Sequence, residues 1–391
     1  MGHDPKQSRW LGAAALLGVV RSEPGITRTA AAQRLGIGSG NATELATRLR
    51  DARLLDEEPA PAQGRGRPTT LLGPHAEGPL VLAVDLRAND WRLALAGIDG
   101  RSEVVAQSGY AEDSDAALAQ VAKAIGTVYR RNAKRLRVIA IAVAGPVSGV
   151  RLGQFLSRGW TDVDLSVLTP KIADRADVGL VVGNDATLAG LAEARTGAAR
   201  GAATALHLIV AQGIGGTLVV NGEPVTGAHG AAGEYGHIPF AEPDLICPCG
   251  ARGCWDLTVD GRALARHLGD PPPDDSVGYV HAVVGNRDVR TRRALATVSS
   301  SLGRGIGALV NLHDPDIVTL GGAAVPLRAA APEAFADAYR DALMAFRKSA
   351  PPPVRDGVHG EDGPLHGAVE LALDHVVTPA GVADWVARQD V

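Results

Sequence analysis

The chain has 391 residues, 46% hydrophobic, 21% charged and only 4% aromatic, with 48 glycines. This composition excludes a disordered chain, and the length exceeds one ordinary core, so two or three turn-rich α/β domains are expected. The net charge of −4 hides an asymmetry: residues 1–75 hold ten Lys/Arg against seven Asp/Glu, a balance of +3 that leaves −7 on the remaining 316. A basic head on an acidic body suits a nucleic-acid contact at one end. The longest apolar runs, such as 11–20 and 79–84, are too short to span a bilayer, so no membrane partner is expected. Residues 11–20 could pass for the apolar core of a signal peptide. The helical pattern runs on from them, however, and no small-residue cleavage site precedes a clear mature start, which points to a cytoplasmic chain.

In chain order, residues 7–21 read as a helix with Trp10, Ala14, Leu17 and Val20 along one stripe. Thr27 is placed to cap a helix over 28–35, and Gly36-Ile37-Gly38 is a tight turn of the kind that joins crossing helices. Ser39 or Asn41 is expected to cap a third helix through Ala52, with Leu45 and Leu49 facing inward. Its outward chemistry, Ser39, Asn41, Thr43, Thr47 and Arg48 above all, suits base edges and phosphates in a major groove. Leu54-Leu55 and Thr70-Leu71-Leu72 bracket a Pro/Gly/Arg stretch as two strands bracket a wing. Within it, Arg65 and Arg67 of Gly-Arg-Gly-Arg-Pro could lie in a narrow minor groove. Alone, that string is a linker more often than not; after helix, helix, turn and polar helix it reads as the wing of a winged helix-turn-helix. The first domain is therefore set at 1–75.

From residue 76 onward, strands at 80–84, 91–98, 103–108 and 137–143 surround a helix at 114–131. Strands at 179–182, 203–210, 216–220 and 316–320 then alternate with helices at 185–196, 256–268, 288–312, 328–346 and 364–375. That alternation predicts an α/β domain over 76–391 in two related lobes. Lobe 1 would be about 76–195 with the C-terminal helix, and lobe 2 about 196–363.

All three cysteines lie between 247 and 254. An odd, crowded set is a poor disulfide framework and suits a reducing cytosol. With His237, the residues Cys247, Cys249 and Cys254 supply the four N/S ligands of a closed, structural zinc site.

The string Gly230-Ala-Ala-Gly-Glu-Tyr-Gly-His237, followed by Cys247-Pro-Cys-Gly-Ala-Arg-Gly-Cys254, resembles the ROK family of repressors, open reading frames and sugar kinases. The resemblance extends from about 80 to 375, and the preceding winged helix looks like the family's repressor branch. It implies an actin-like, sugar-kinase-like domain behind the winged helix. Gly183-Asn184-Asp185-Ala186 resembles the family's Asn-Asp-Ala motif, in which the aspartate is the kinases' general base. The resemblance places Asn184, Asp185, Glu234 and His237 on sugar hydroxyls, with Ser157 and Asp256 where an asparagine and a glutamate more often stand. Ser157 begins Ser-Arg158-Gly-Trp160, where the family often has Asn-Leu-Gly-Trp.

The departures concern phosphate. Family kinases carry Asp-x-Gly-Gly-Thr on the first hairpin, and here the stretch is Asp85-Leu-Arg-Ala-Asn-Asp90. No glycine permits close phosphate approach, and the Asp90 carboxylate would repel it. A second phosphate turn, Gly-Thr-Gly in kinases, is Ala211-Gln212-Gly213. The resemblance therefore implies a non-catalytic regulator, a repressor of a double-stranded DNA operator that senses a sugar or sugar derivative as a homodimer or homotetramer. The alternatives are an ATP-dependent sugar kinase with a DNA-binding appendage, or a ligand-independent DNA-binding scaffold.

Overall fold

The computed structural model describes residues 9–60, 70–111, 114–155, 158–169, 172 and 178–389. The chain divides into two compact units, Met1–Gly183 with Ala368–Val391, and Asn184–Gly367. The helix that opens at Asp185, expected with the first lobe, thus belongs by its contacts to the second.

The first unit opens with three helices and a two-stranded ribbon. Helix α1 (Leu11–Ser22) buries Ala13, Leu16, Leu17 and Val20. Thr27 caps α2 (Arg28–Leu35) by accepting a hydrogen bond from Ala30 N at 3.2 Å, and Gly36 ends it at φ 64°. Helix α3 (Ser39–Asp51) departs from expectation at its start. Its N-cap is Gly38, and neither Ser39 nor Asn41 caps it, because the tight turn delivers the chain to the helix one residue earlier. Leu45 and Leu49 point inward as expected. Strands β1 (Leu55–Pro59) and β2 (Thr70–Pro74) pair antiparallel, so the wing ribbon runs on through Gly73 and Pro74.

Next comes a five-stranded sheet whose strands are β3 (Leu80–Leu86), β4 (Asp90–Ala96), β5 (Ser102–Gly109), β6 (Leu136–Val143) and β10 (Gly179–Asn184), in the order β10-β6-β3-β4-β5. Helix α4 (Ser114–Asn132) buries Val121, Ile125 and Val128 against it. A ribbon of β7 (Val147–Ser148), β8 (Arg151–Phe155) and β9 (Trp160–Asp164) went unread in the sequence because its strands are too short for a two-residue period to register.

The chain's last element was also unread. Helix α11 (Gly363–Val376) runs from the second unit into the first, and α12 (Pro379–Ala387) follows it. Val382 and Trp385 of α12 are buried in the winged helix's own core, beside Leu16, Leu17, Leu49 and Leu72. Trp385 Nε1 donates to Ala52 O at 2.8 Å, the residue that closes α3. Arg21, at the end of α1, binds Glu370 and Asp374 of α11.

The second unit begins with α5 (Asp185–Arg195). Its sheet strands are β11 (Thr204–Ala211), β12 (Gly213–Val220), β13 (Glu223–Pro224), β14 (Ile317–Gly322) and β15 (Val354–Asp356), in the order β13-β12-β11-β14-β15. Helices α6 (Gly261–Leu268), α7 (Ser276–Val283), α8 (Val289–His313), α9 (Ala324–Ala330) and α10 (Pro332–Ala342) complete it. The core gathers Leu206, Leu208, Trp255, Leu302, Ile306 and Leu320.

One buried histidine sets an acid limit on this unit. His207 Nδ1 lies 2.9 Å from Thr319 Oγ1. Burial holds the ring neutral and pushes its pKa down to about 4, outweighing the nearby Glu193. The unfolded chain takes this proton near its ordinary value of 6.5, so the stability is whole above pH 6.5 and is lost as pH falls toward 4. The loss is on the order of 3 kcal/mol. Denaturant midpoints taken from pH 7 to 4 should fall less steeply for His207→Gln than for the native chain; parallel curves would contradict the assignment.

Candidate ligand site and metal centre

In the second unit, the start of β12 gathers three segments separated in sequence. The β11–β12 turn needs Gly213 at φ 118°, where a side chain would lie 2.7 Å from an Asp256 oxygen. Two residues on, a Cβ at Gly215 would stand 2.7 Å from Ala186, and one at Gly216 2.6 Å from Leu208 and 2.8 Å from the Tyr235 ring. Bare backbone here lets α5, the 235–237 turn and Asp256 converge on one strand end. Gly213, Gly215 and Gly216 thus serve close packing.

At this junction Asn184 caps α5, its Oδ1 accepting from Thr187 N at 2.9 Å, while Asp185 Oδ1 accepts from Ala186 N at 2.8 Å. Both are half-buried. An ionised carboxylate at a helix N-terminus is favoured by the dipole. Asp256, 7% exposed, accepts from Ile214 N at 2.6 Å. Its carboxylate also lies 3.8 Å from His237 Nδ1. Glu234 stands 3.8 Å from His237 Nε2, and burial raises its pKa. Asn184 and Asp185 therefore come to the same strand end as Glu234, His237 and Asp256. Ser157 lies outside the described residues.

The four metal-ligand candidates also meet. Their donor atoms all lie within 4.8 Å of one another. Cys249 Sγ is 3.7 Å from Cys254 Sγ, and Cys247 Sγ is 3.8 Å from His237 Nδ1. A tetrahedron with Zn–S bonds of about 2.3 Å has edges of about 3.8 Å, so the spacing fits such an ion. Burial pushes the Cys254 thiol up to about 12, with the neighbouring thiols adding to it, so a cation is what would make that sulfur a thiolate. The loop is tied to the core through Trp255, wholly buried, whose Nε1 donates to Ser301 O at 3.2 Å and whose ring packs against Gly305 of α8. With Nδ1 turned to the sulfurs, His237 presents Nε2 toward Glu234.

The first unit's hairpin corrects one expectation. Asp90 is not a bare carboxylate facing incoming phosphate: Arg87 grips it through Nε at 2.6 Å and Nη2 at 2.5 Å. Directly across the strands, Arg92 Nη2 donates to Asp85 at 2.7 Å, with Asp85 1% and Arg92 8% exposed. Two ion pairs thus occupy the hairpin where kinases hold phosphate, and Arg87 is already committed. The pairing could have been read from the register, since Asp85 and Arg92 fall opposite each other in a two-residue-offset hairpin.

On the winged helix, Ser39, Asn41 and Thr43 are exposed and Thr47 and Arg48 half-buried, all on α3. Thr43 Oγ1 donates to Ser39 O at 2.9 Å, and Arg48 Nη2 reaches Glu44 at 2.9 Å, one turn away. Arg65 and Arg67 fall outside the described residues. No helix among the described residues is long and apolar enough to cross a membrane.

The fold and its sites define a class: a winged helix-turn-helix followed by a sugar-kinase-like α/β domain with a Cys3His cluster able to hold a metal ion. Residues 81–375 match the ROK family, and the chain belongs to it. A solved ROK family transcriptional regulator, a homologue of the E. coli MLC protein, superposes with a TM-score of 0.74 at 21% identity, covering 96% of this chain and 99% of that one. A xylose repressor of Bacillus subtilis is 28% identical over 161 residues, 41% of each chain. A glucokinase of Streptomyces coelicolor is 30% identical over 176 residues, 40% of this chain and 55% of that one. The chain thus spans about half the length of these two curated relatives.

Proposed function

We propose that the protein is a DNA-binding transcriptional regulator of the cytoplasm, a repressor whose affinity for its operator is set by a sugar or sugar derivative. The observation that carries this reading is the pairing of a winged helix with a kinase-like domain whose phosphate hairpin is closed by Arg87–Asp90 and Asp85–Arg92. Phosphoryl transfer depends on charge neutralisation and positioning around the phosphates, and this hairpin offers neither free cation nor glycine amides. Asn184, Asp185, Glu234, His237 and Asp256, with Ser157, would take the sugar. A zinc ion on His237, Cys247, Cys249 and Cys254 would serve structure. Ser39, Asn41, Thr43, Thr47 and Arg48 would meet DNA in the major groove and Arg65 and Arg67 in the minor. A homodimer or homotetramer would present two winged helices to a two-fold-symmetric site. The kinase alternative is favoured by one observation, the retention of Asp185 at a helix start, where a general base stands in family kinases.

Selection of genomic fragments on the purified protein should yield a roughly palindromic site whose binding weakens steeply with salt. Asn41→Ala should cost about 1–3 kcal/mol on that site. Adding the right sugar should shift the affinity, and Mg-ATP with the same sugar should release no ADP. Failure to select any specific sequence, or sugar-dependent ADP release abolished by Asp185→Asn, would overturn the reading.

A further inference from the structure

Helices α8 and α10 pack side by side on the second unit, and their outer faces carry opposite charges. They approach closely because α8 is bare where they meet: a Cβ at Gly303 would strike Phe335 O, and one at Gly307 would stand 2.6 Å from Ala342. Ser300 Oγ donates to Ala334 O at 3.2 Å and Asn311 Nδ2 to Ala342 O at 2.8 Å, so the two helices run in the same direction. At the helical period, Arg293, Thr297 and Arg304 share the face of α8 opposite its buried Leu295, Leu302 and Ile306, and all three are exposed. On α10, Glu333, Asp337 and Asp341 recur at every fourth residue, away from the buried Phe335 and Tyr339, and are exposed as well. Among the described residues none of these five charges joins an ion pair, whereas Arg347 and Asp314, just beyond the ends of the same helices, are paired. At those ends stand Leu312, Met344 and Phe346, 73%, 46% and 66% exposed.

We infer that this face binds the same face of a second copy of the chain, the basic stripe of each α8 lying on the acidic stripe of the partner's α10. One surface carries both halves of the contact, which is what a two-fold interface requires. Because α8 and α10 run in the same direction, a two-fold axis along the groove between them lays each α8 over the other copy's α10. The levels agree. Gly303 meets the backbone of Phe335 and Tyr339, so Arg304 stands level with Asp337, and the axis would carry it onto that carboxylate between Glu333 and Asp341. Stacking α8 on α8 would instead oppose arginines. A uniformly charged partner, DNA included, would match one stripe and be repelled by the other. Exposed ion pairs contribute little affinity by themselves, so the apolar end residues would supply the attraction and the stripes the register. The inference rests on the homo-oligomer reading above and names its surface.

Sedimentation equilibrium of the full chain tests the surface. Arg293→Glu with Arg304→Glu makes both stripes acidic, and Glu333→Lys with Asp337→Lys and Asp341→Lys makes both basic. Each variant alone should self-associate at least on the order of a hundredfold more weakly and drop to half the native mass or less, because like charges then face each other. Mixed one to one, the two should re-form the native mass, since each stripe again meets its opposite. Where a reversal lowers the melting temperature, Arg304→Gln and Asp337→Asn, which add no charge, should each still weaken association several-fold. A variant that keeps the native mass by itself would overturn the surface and leave the homo-oligomer on another face. Variants that dissociate but do not re-form in the mixture would overturn the pairing of α8 with α10. A native chain that is monomeric at every concentration would overturn both the surface and the homo-oligomer reading.

Discussion

Cys254→Ser should yield a chain without bound zinc that melts about 10 °C below the native protein, a loss of about 3–4 kcal/mol. The segment between His237 and Cys254 is held by turn hydrogen bonds, such as Cys247 N to Ala251 O at 2.9 Å and Gly253 N to Leu245 O at 2.8 Å, and only Ile238 and Phe240, near its start, pack against the hydrophobic core among the described residues. Two isolated bridges, Pro239 with Cys254 and Ile246 with Arg252, are its only strand-like pairings among the described residues, and Ile246 is 66% exposed. Cys249 is exposed as well. A four-ligand ion would replace the missing core, and losing one thiolate would leave three ligands and a half-bound loop. The damage should reach the residues proposed to take the sugar, because His237 joins the sulfurs to Glu234 and Asp256. Metal analysis should find one zinc per native chain and none in the variant. A native chain that carries no zinc, or is unmoved by a strong chelator, would refute the structural role.

The second large effect should come from the opposite end of the chain. Trp385→Ala should destabilise the winged helix by about 3–5 kcal/mol, the usual cost of deleting a buried tryptophan. Trp385 is 4% exposed, packs into the core made by α1 to α3, and donates to the carbonyl of Ala52. Removing it opens a cavity and leaves that carbonyl, one of the end groups of the helix proposed to read DNA, to Gln389 Nε2 alone at 2.9 Å. Hydrogen exchange should speed up across residues 11–72 and stay unchanged across β11, β12 and β14, and operator affinity should fall with it. Exchange across 11–72 equal to that of the native chain would show that α12 merely rests on the winged helix.

Both effects bear on what could be read in advance. Helices α1, α2 and α3, the wing strands and most strands of both sheets were legible because each carries its own period, caps or turn glycines. The metal cluster was legible because three of its four ligands fall within eight residues. Helix α12 was not, since its Pro-Ala-Gly start looks like a loop and its apolar residues, Val382 and Trp385, find their partners more than 300 positions earlier. The expectation at Asp90 missed a partner close in sequence instead: Arg87 stands three residues before it, and the hairpin turn brings the two together.

The sequence by itself therefore determined the order of elements, the ROK membership and the identity of the ligand-type residues, because these depend on local spacing and side-chain chemistry. Tertiary structure alone decided that the chain's two ends share one core. It alone also brought α5, the His237 turn and Asp256 to one glycine-lined strand end. Those outcomes depend on contacts between distant segments, and a period or a motif carries no record of what lies across the fold.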